Sequence, residues 1–287
     1  MRLLLIAALV STAALAQQQA TIVGVVAAVN DEVAKKQADA FASFVGVATK
    51  DQTIGRVFAD QEALATALAK GDVDVALMGP LGYLRIDPKV KPVLLFRTVR
   101  AGKSTYRSVL FGPPTSKLAS LEALKKEKKP LKVAWVETSS ATGYVIAKAT
   151  LLAAGINPVQ SFETQDFLGS HDAVCKAVLE GKYDLGATFS DQAANTTRAT
   201  GCVNALGKKA DSLKIIAQSV EVPNDVVVAG PKYSSGKTDA IIAFAKSIAP
   251  SADGKSILQR SLLADGIAEV KDEDFAPVRK ALDAFVP

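Results

Sequence analysis

Short apolar runs alternate along the chain with stretches whose apolar residues recur every three or four positions. Thr21-Ile22-Val23-Gly24-Val25-Val26 reads as a buried strand. Asn30-Asp31-Glu32 opens a helix with Val33, Ala34, Ala38, Phe41 and Val45 on one face, and Gly46 is its expected stop. Thr53–Phe58 predicts a second strand, 60–69 a helix capped by Asp60 and ended by Gly71, and 73–78 a third strand. Strands follow at 93–99 and 106–111, a helix at 118–126 and a strand at 131–136. A helix then runs from about Thr142 through Lys148 and Leu151 to Gly155. Ser170 caps the next one, whose apolar face is Ala173, Val174, Ala177 and Val178, with Gly181 as its stop. Strands at 183–189, 213–220 and 226–229 precede helices at 238–248, 255–263 and 275–285.

This alternation predicts an α/β protein with parallel strands. One unit ends near Pro113, where a second begins afresh, and the last helices return to the first. The expected boundaries are 17–108 with 226–287 for the first unit and 109–225 for the second. Two crossings, near 106–111 and 222–228, would make a two-stranded hinge. Ligands of such sheets sit beyond the carboxyl ends of strands, which points to Ala27-Ala28-Val29-Asn30 and Met78-Gly79-Pro80-Leu81-Gly82-Tyr83.

Residues 1–16 read differently. Arg2, the apolar run from Leu3 to Val10 and Ala14-Leu15-Ala16 have the form of a secretory signal peptide, with no cysteine near the cut for a lipid anchor. No later segment is long and apolar enough to span a bilayer. The expectation is an exported, soluble, periplasmic monomer. A formal net charge of +5 is compatible with an anionic ligand. The one basic run, Lys125-Lys126-Glu127-Lys128-Lys129, has no aromatic platform, which argues against nucleic acid. In an oxidising compartment Cys175 and Cys202, the only cysteines, can close a disulfide; the alternative is two buried thiols. Two cysteines and one histidine make a poor zinc set, so neither metal nor cofactor is expected.

The candidate chemistry centres on Glu137-Thr138-Ser139-Ser140-Ala141-Thr142-Gly143-Tyr144, where hydroxyls cluster at the start of a helix. Unpaired N–H groups and the positive end of the helix dipole make such a start an anion site, although Ser and Thr are also the ordinary capping residues. His171, the sole histidine, lies at the first turn of another helix, where the dipole disfavours its charged form until an anion arrives. Asp191 and Asp225 each follow an apolar strand. A carboxylate there accepts a hydrogen bond from a P–OH group and is left unpaired beside sulfate, which has no such proton. Tyr83 is the candidate donor from the first unit, while Tyr144 is read as packed inward.

These residues resemble the phosphate, phosphite and phosphonate substrate-binding proteins of ABC importers. Asp74 to Tyr83 is similar to that family's first-domain motif, and Ser140-Ala141-Thr142-Gly143-Tyr144 to its Ser-Thr-Ser-Gly-Tyr anion loop. Gly169-Ser170-His171-Asp172-Ala173 is similar to its Gly-Ser-His-Asp block. Ala141 stands where the loop commonly has a hydroxyl, and 26–30 lacks the aromatic that some members place there. The resemblance implies a type II periplasmic binding fold, two α/β lobes with the ligand cleft between them. It implies that Ser140, Thr142 and the N–H groups of Ala141 and Gly143 hold a phosphorus oxyanion. His171, Tyr83 and Asp225 would complete the shell, with delivery to a membrane permease. Two other readings stand beside it. One is a sensor subunit for a small anion. The other is a hydrolase built on Ser139, His171 and Asp191, against which the absence of a Gly-x-Ser-x-Gly elbow counts.

Overall fold

The computed structural model describes residues 20–26, 31–192 and 198–283. The leader at 1–16, the loop at 27–30 and the end of the last expected helix lie outside the described residues.

Two mixed sheets carry the molecule. The first half of the chain gives β1 (Thr21–Val26), α1 (Asp31–Thr49), β2 (Thr53–Phe58), α2 (Gln61–Lys70), β3 (Val75–Met78), α3 (Pro80–Leu84) and β4 (Val93–Val99). The middle gives β5 (Thr105–Gly112), α4 (Leu121–Lys126), β6 (Leu131–Trp135), α5 (Ile146–Ala153), α6 (Pro158–Ser161), β7 (Phe162–Phe167), α7 (His171–Leu179), β8 (Leu185–Ser190), α8 (Val203–Leu206), β9 (Lys214–Gln218) and β10 (Val222–Pro223). The chain closes with β11 (Val226–Ala229), α9 (Ser235–Ile248), α10 (Ala252–Leu262), β12 (Gly266–Ala268) and α11 (Ala276–Leu282). The first sheet has the order β12-β4-β11-β3-β1-β2, and the second β10-β5-β8-β6-β7 with β9 also on β5.

The β-α-β segments are parallel as expected: β1 with β2 and β3, and β6 with β7 and β8. Neither sheet is wholly parallel. β11 returns from the second sheet and enters antiparallel between β3 and β4, while β5 is antiparallel to β8, β9 and β10. Phe41, Phe96 and Leu258 fill one side of the first sheet, and Leu64, Leu68 and Phe275 the other. Trp135, Leu151 and Leu185 form the core on one side of the second sheet, and Phe111, Val174 and the bonded Cys175–Cys202 pair the other.

Several elements differ from the sequence expectation. Gly46 does not stop α1, which runs one turn further. A Cβ there would lie 2.8 Å from Thr53 Oγ1, so the glycine serves the close approach of helix and strand. β7 escapes apolar periodicity because Phe162-Glu163-Thr164-Gln165-Asp166-Phe167 is a mostly polar edge strand. β5 belongs wholly to the second sheet, so the chain changes sheets at 100–104 and 224–225, and Tyr106–Phe111 lies inside a strand. The last helix does not rest only on the first unit. Val278 and Leu282 of α11 pack with Ile146 of α5, Tyr106 and Val222.

The two passages between the sheets are tied together. The Thr98 N–H donates to the Asp225 carbonyl at 2.8 Å, and the Asn224 N–H to the Ser104 carbonyl at 3.0 Å. The buried Asn224 carboxamide donates to the carbonyls of Thr98 (3.1 Å) and Lys103 (2.9 Å).

Candidate functional site

A cleft of about 500 Å³ opens where the carboxyl ends of strands from both sheets meet. From the first sheet it receives Val25 and Val26 at the end of β1, Ala59 to Gln61 after β2, and Leu77 to Leu81 around the end of β3. From the second it receives Val136 to Ala141 after β6 and Gly169 to His171 after β7. A second cavity of about 320 Å³ adjoins it, sharing Tyr106, Ser140, Ala141 and His171 and adding Arg100, Lys103, Thr142, Phe189 and Asp191.

The hydroxyl-rich stretch does not enter an α-helix directly. Ala141–Val145 is a π-helical turn in which the Val145 N–H reaches the Ser140 carbonyl at 3.0 Å, and α5 follows from Ile146. Single π turns recur at functional sites because they change which backbone groups are left without partners. Ser140 acts as the cap, its Oγ accepting from the Gly143 N–H at 3.1 Å. The Gly143 N–H, expected on a ligand, is therefore already used. The N–H groups of Ala141 and Thr142 carry no hydrogen bond among the described residues. Their carbonyls are engaged, Ala141's by the Ile146 N–H and Thr142's by the Ser108 hydroxyl at 2.6 Å. A Cβ on Gly143 would lie 2.3 Å from a methyl of Val136, so this close approach requires glycine. Tyr144 points away and packs between Trp135 and Phe167.

His171 is the first residue of α7, whose cap is Ser170 accepting from the Ala173 N–H. Its Nδ1 lies 2.9 Å from Thr188 Oγ1 and its ring stands edge-on to Phe189. Burial lowers its pKa, only partly offset by Asp172, so the imidazole is held neutral. With Nδ1 on Thr188, Nε2 is the ring nitrogen left for the cleft. The π turn and His171 are neighbours because β6 and β7 are: the Gly169 N–H donates to the Val136 carbonyl at 2.7 Å. Asp191, beyond β8, lines the second cavity, and its N–H donates to the Thr200 hydroxyl at 3.0 Å.

Of two other expected ligand residues, Tyr83 lies outside both cavities and Asp225 lies in the cleft already paired. Tyr83 does not line either cavity. Its ring packs on Phe275 and its hydroxyl donates to Asp272 Oδ1 at 2.6 Å, with Arg279 gripping the same carboxylate. Burial, then Asp272, push the Tyr83 hydroxyl well above the usual phenol range. Asp225 does line the cleft, but its Oδ2 accepts from Arg100 Nη2. That ion pair compensates its charge before any ligand arrives and blunts the proton-reading role expected for a free carboxylate. The Asp225 charge in turn holds the Arg100 guanidinium above its ordinary range. A catalytic triad is not assembled. No hydrogen bond joins His171 to Ser139 or Asp191 among the described residues, and the Nδ1 partner is a hydroxyl.

Periodicity missed three contributors. Tyr106 sits at the start of β5 and lines both cavities, where burial and then the Asp225 charge raise its pKa. Arg100 enters from a tight turn after β4. Gln61 follows the Asp60 cap, and its Oε1 accepts from the Gly79 N–H at 3.1 Å. The signal for Arg100 was its place in a Gly102 turn between two strands that change sheets. Gln61 and Gly79 both lie past the carboxyl end of a strand. Among the described residues no helix is long and apolar enough to cross a membrane.

Residues 23–275 match the family described as ABC transporter, phosphonate, periplasmic substrate-binding protein. Among solved structures, PhnD1 from Prochlorococcus marinus in complex with methylphosphonate is 18% identical, with a TM-score of 0.70 over 93% of this chain and 98% of that one. A binding protein component of an ABC phosphonate transporter from Pseudomonas aeruginosa is 20% identical, with a TM-score of 0.68 over 91% and 85%. A chloride-bound protein from Xanthomonas citri is 16% identical, with a TM-score of 0.72 over 92% and 96%.

Proposed function

Because the chain belongs to the periplasmic substrate-binding family of phosphonate ABC transporters, we propose that it captures a small phosphorus oxyanion and presents it to a membrane permease. The ligand class is phosphonate, phosphite or phosphate. The observation that carries this reading is the meeting, in one cleft, of the unengaged Ala141 and Thr142 N–H groups with a neutral His171. Backbone donors at a helix start favour an anion, and a neutral imidazole adds a donor without a standing buried charge. Ser139 and the Thr142 hydroxyl complete the oxyanion end.

The lobes of this reading are the two units around the two sheets, which exchange the chain at 100–104 and again at 224–225, so that the boundary lies before β5 and not within it. Gln61, Gly79 and Pro80 face the π turn across the cleft. A ligand held by the second unit touches the first only when the cleft narrows. It therefore binds the closed form more tightly and shifts the population toward it.

The test is thermal unfolding and calorimetry with phosphate, phosphite, methylphosphonate and sulfate. A ligand at about a hundred times its Kd stabilises the folded state by about 2.7 kcal/mol. Stabilisation by at least one phosphorus oxyanion and not by sulfate is the expected result. No response to any of them, in protein unfolded and refolded to remove retained ligand, overturns the reading.

A further inference from the structure

A covalently tied turn lies behind the His171 wall of the cleft. Cys175 stands one helical turn past His171 on α7, and its disulfide partner Cys202 ends the tight turn Thr200–Cys202. Both cysteines are fully buried, packed with Val174, Val178 and Ala199. That turn rests on the end of β8. The Thr200 hydroxyl accepts from the Asp191 N–H at 3.0 Å. A Cβ on Gly201 would lie 2.2 Å from Thr188 Oγ1 and 2.8 Å from Phe189 Cδ1, so its backbone lies directly against both side chains. These are the two side chains that hold the imidazole. Thr188 Oγ1 is 2.9 Å from His171 Nδ1, and Phe189 stands edge-on to the ring.

The contacts close a circuit. It runs from His171 along α7 to Cys175, across the disulfide to Cys202, back one residue to Gly201, and through Thr188 and Phe189 to the imidazole again. Thr200–Cys202 is a single 3-10 turn whose Cys202 N–H donates to the Ala199 carbonyl at 3.0 Å, and so short a turn does little to fix its own place. The disulfide sets its distance from α7. With that bond cut, the turn is free to draw back from β8 and the Thr188 hydroxyl is free to rotate away from Nδ1. A donor held loosely must be ordered when the ligand binds, which weakens affinity. We propose that the Cys175–Cys202 bond and Gly201 are positioning elements of the ligand site, holding Thr188 and Phe189 against His171. The inference rests on the oxyanion reading above and assigns the residues that keep its histidine in place. A disulfide acting only on the unfolded chain would lower the melting temperature and leave the native site unchanged.

Two variants test it beside the wild type: Cys175→Ala with Cys202→Ala, which removes the bond, and Gly201→Ala, which keeps both cysteines and presses on Thr188. Melting curves establish that each folds. Calorimetry well below the melting temperature gives the affinity for methylphosphonate, phosphite and phosphate. Untagged protein has His171 as its sole imidazole, so an NMR titration reads that ring alone. The charged groups around it are the same in all three proteins: Asp172 on its own helix, Glu137 after β6, and Arg100, Lys103, Asp191 and Asp225 in the two cavities. Both variants are expected to bind the tightest of the three anions about tenfold more weakly. The His171 titration should move up in both toward the ordinary value of about 6.5. Either readout unmoved in a folded variant overturns the inference and leaves the oxyanion reading standing. If the double variant does not fold, Gly201→Ala decides on the same two readouts. Failure of the refolded wild type to bind any of the three anions overturns the oxyanion reading and this inference with it.

Discussion

His171 is held by Thr188: Nδ1 and Oγ1 lie 2.9 Å apart, at the foot of α7 and on the neighbouring strand β8. The contact fixes the ring at the wall of the cleft, and burial depresses its pKa. A folded-state pKa below the unfolded value of about 6.5 means the unfolded chain takes up the proton first. Stability is then unpenalised above about pH 6.5 and lost as pH falls through the window below it.

Anion binding should reverse this preference by favouring the imidazolium. Proton uptake on binding methylphosphonate is expected between about pH 6 and 7, read from calorimetry in buffers of different ionisation enthalpy. Phosphonate ionisation contributes to the same signal, so the decisive comparison is His171→Asn. That variant should lose part of the uptake and the acid-side loss of stability. Identical proton uptake in both proteins would remove His171 from the site.

Within the π turn, Ser140 is the cap and Thr142 the residue whose hydroxyl is left for a ligand on the proposed reading. Ser140 Oγ accepts from the Gly143 N–H, whereas no hydrogen bond to the Thr142 hydroxyl occurs among the described residues. Ser140→Ala is therefore expected to cost about 1 kcal/mol of stability as a lost cap. Thr142→Val should fold normally and weaken methylphosphonate binding by about tenfold, the range of a hydrogen bond to a charged group. Melting curves and calorimetry on both variants check the division, and the reverse pattern would return the ligand role to Ser140.

Tyr83 belongs to the framework, and its substitution separates that role from ligand contact. Tyr83→Phe keeps the packing on Phe275 and removes the bond to Asp272, at a cost of about 1 kcal/mol. Ligand affinity should stay within about twofold. Arg279, first, and Tyr83 hold the Asp272 pKa below its ordinary value. That contribution is present above the usual carboxylate pKa of about 3.9 and is lost as pH falls through the lower folded value. The melting deficit of the variant should accordingly shrink in strong acid. A large loss of affinity instead would place the Tyr83 hydroxyl on the ligand.

The strand and helix rhythm was legible because both faces of each sheet are covered, so most strands are continuous apolar runs such as Val226-Val227-Val228-Ala229. β7 broke that rule at a sheet edge, and Gly46 read as a stop because spacing cannot reveal a helix lying against a strand. The site was legible where local sequence makes it: Ser140 and His171 sit at helix starts, which caps and glycines announce. Tyr83 misled because a tyrosine after Gly79-Pro80 says nothing about Asp272, 189 positions away. The pairing of Arg100 with Asp225 spans 125 positions and depends on two crossings lying side by side. Charge compensation of that kind has no signature in spacing.

β11 lies between β3 and β4, at the middle of the first sheet, yet it is made of residues 226–229. The strands of the second sheet, by contrast, all come from one uninterrupted stretch between Thr105 and Pro223. As the chain emerges in order, the second sheet can close while the first still has a gap at its centre. Contacts that span the sequence form late, because loop-closure entropy must be overcome before they contribute. The first sheet is therefore expected to gain its central strand only once the chain beyond Asp225 is available, after the second sheet can already have closed.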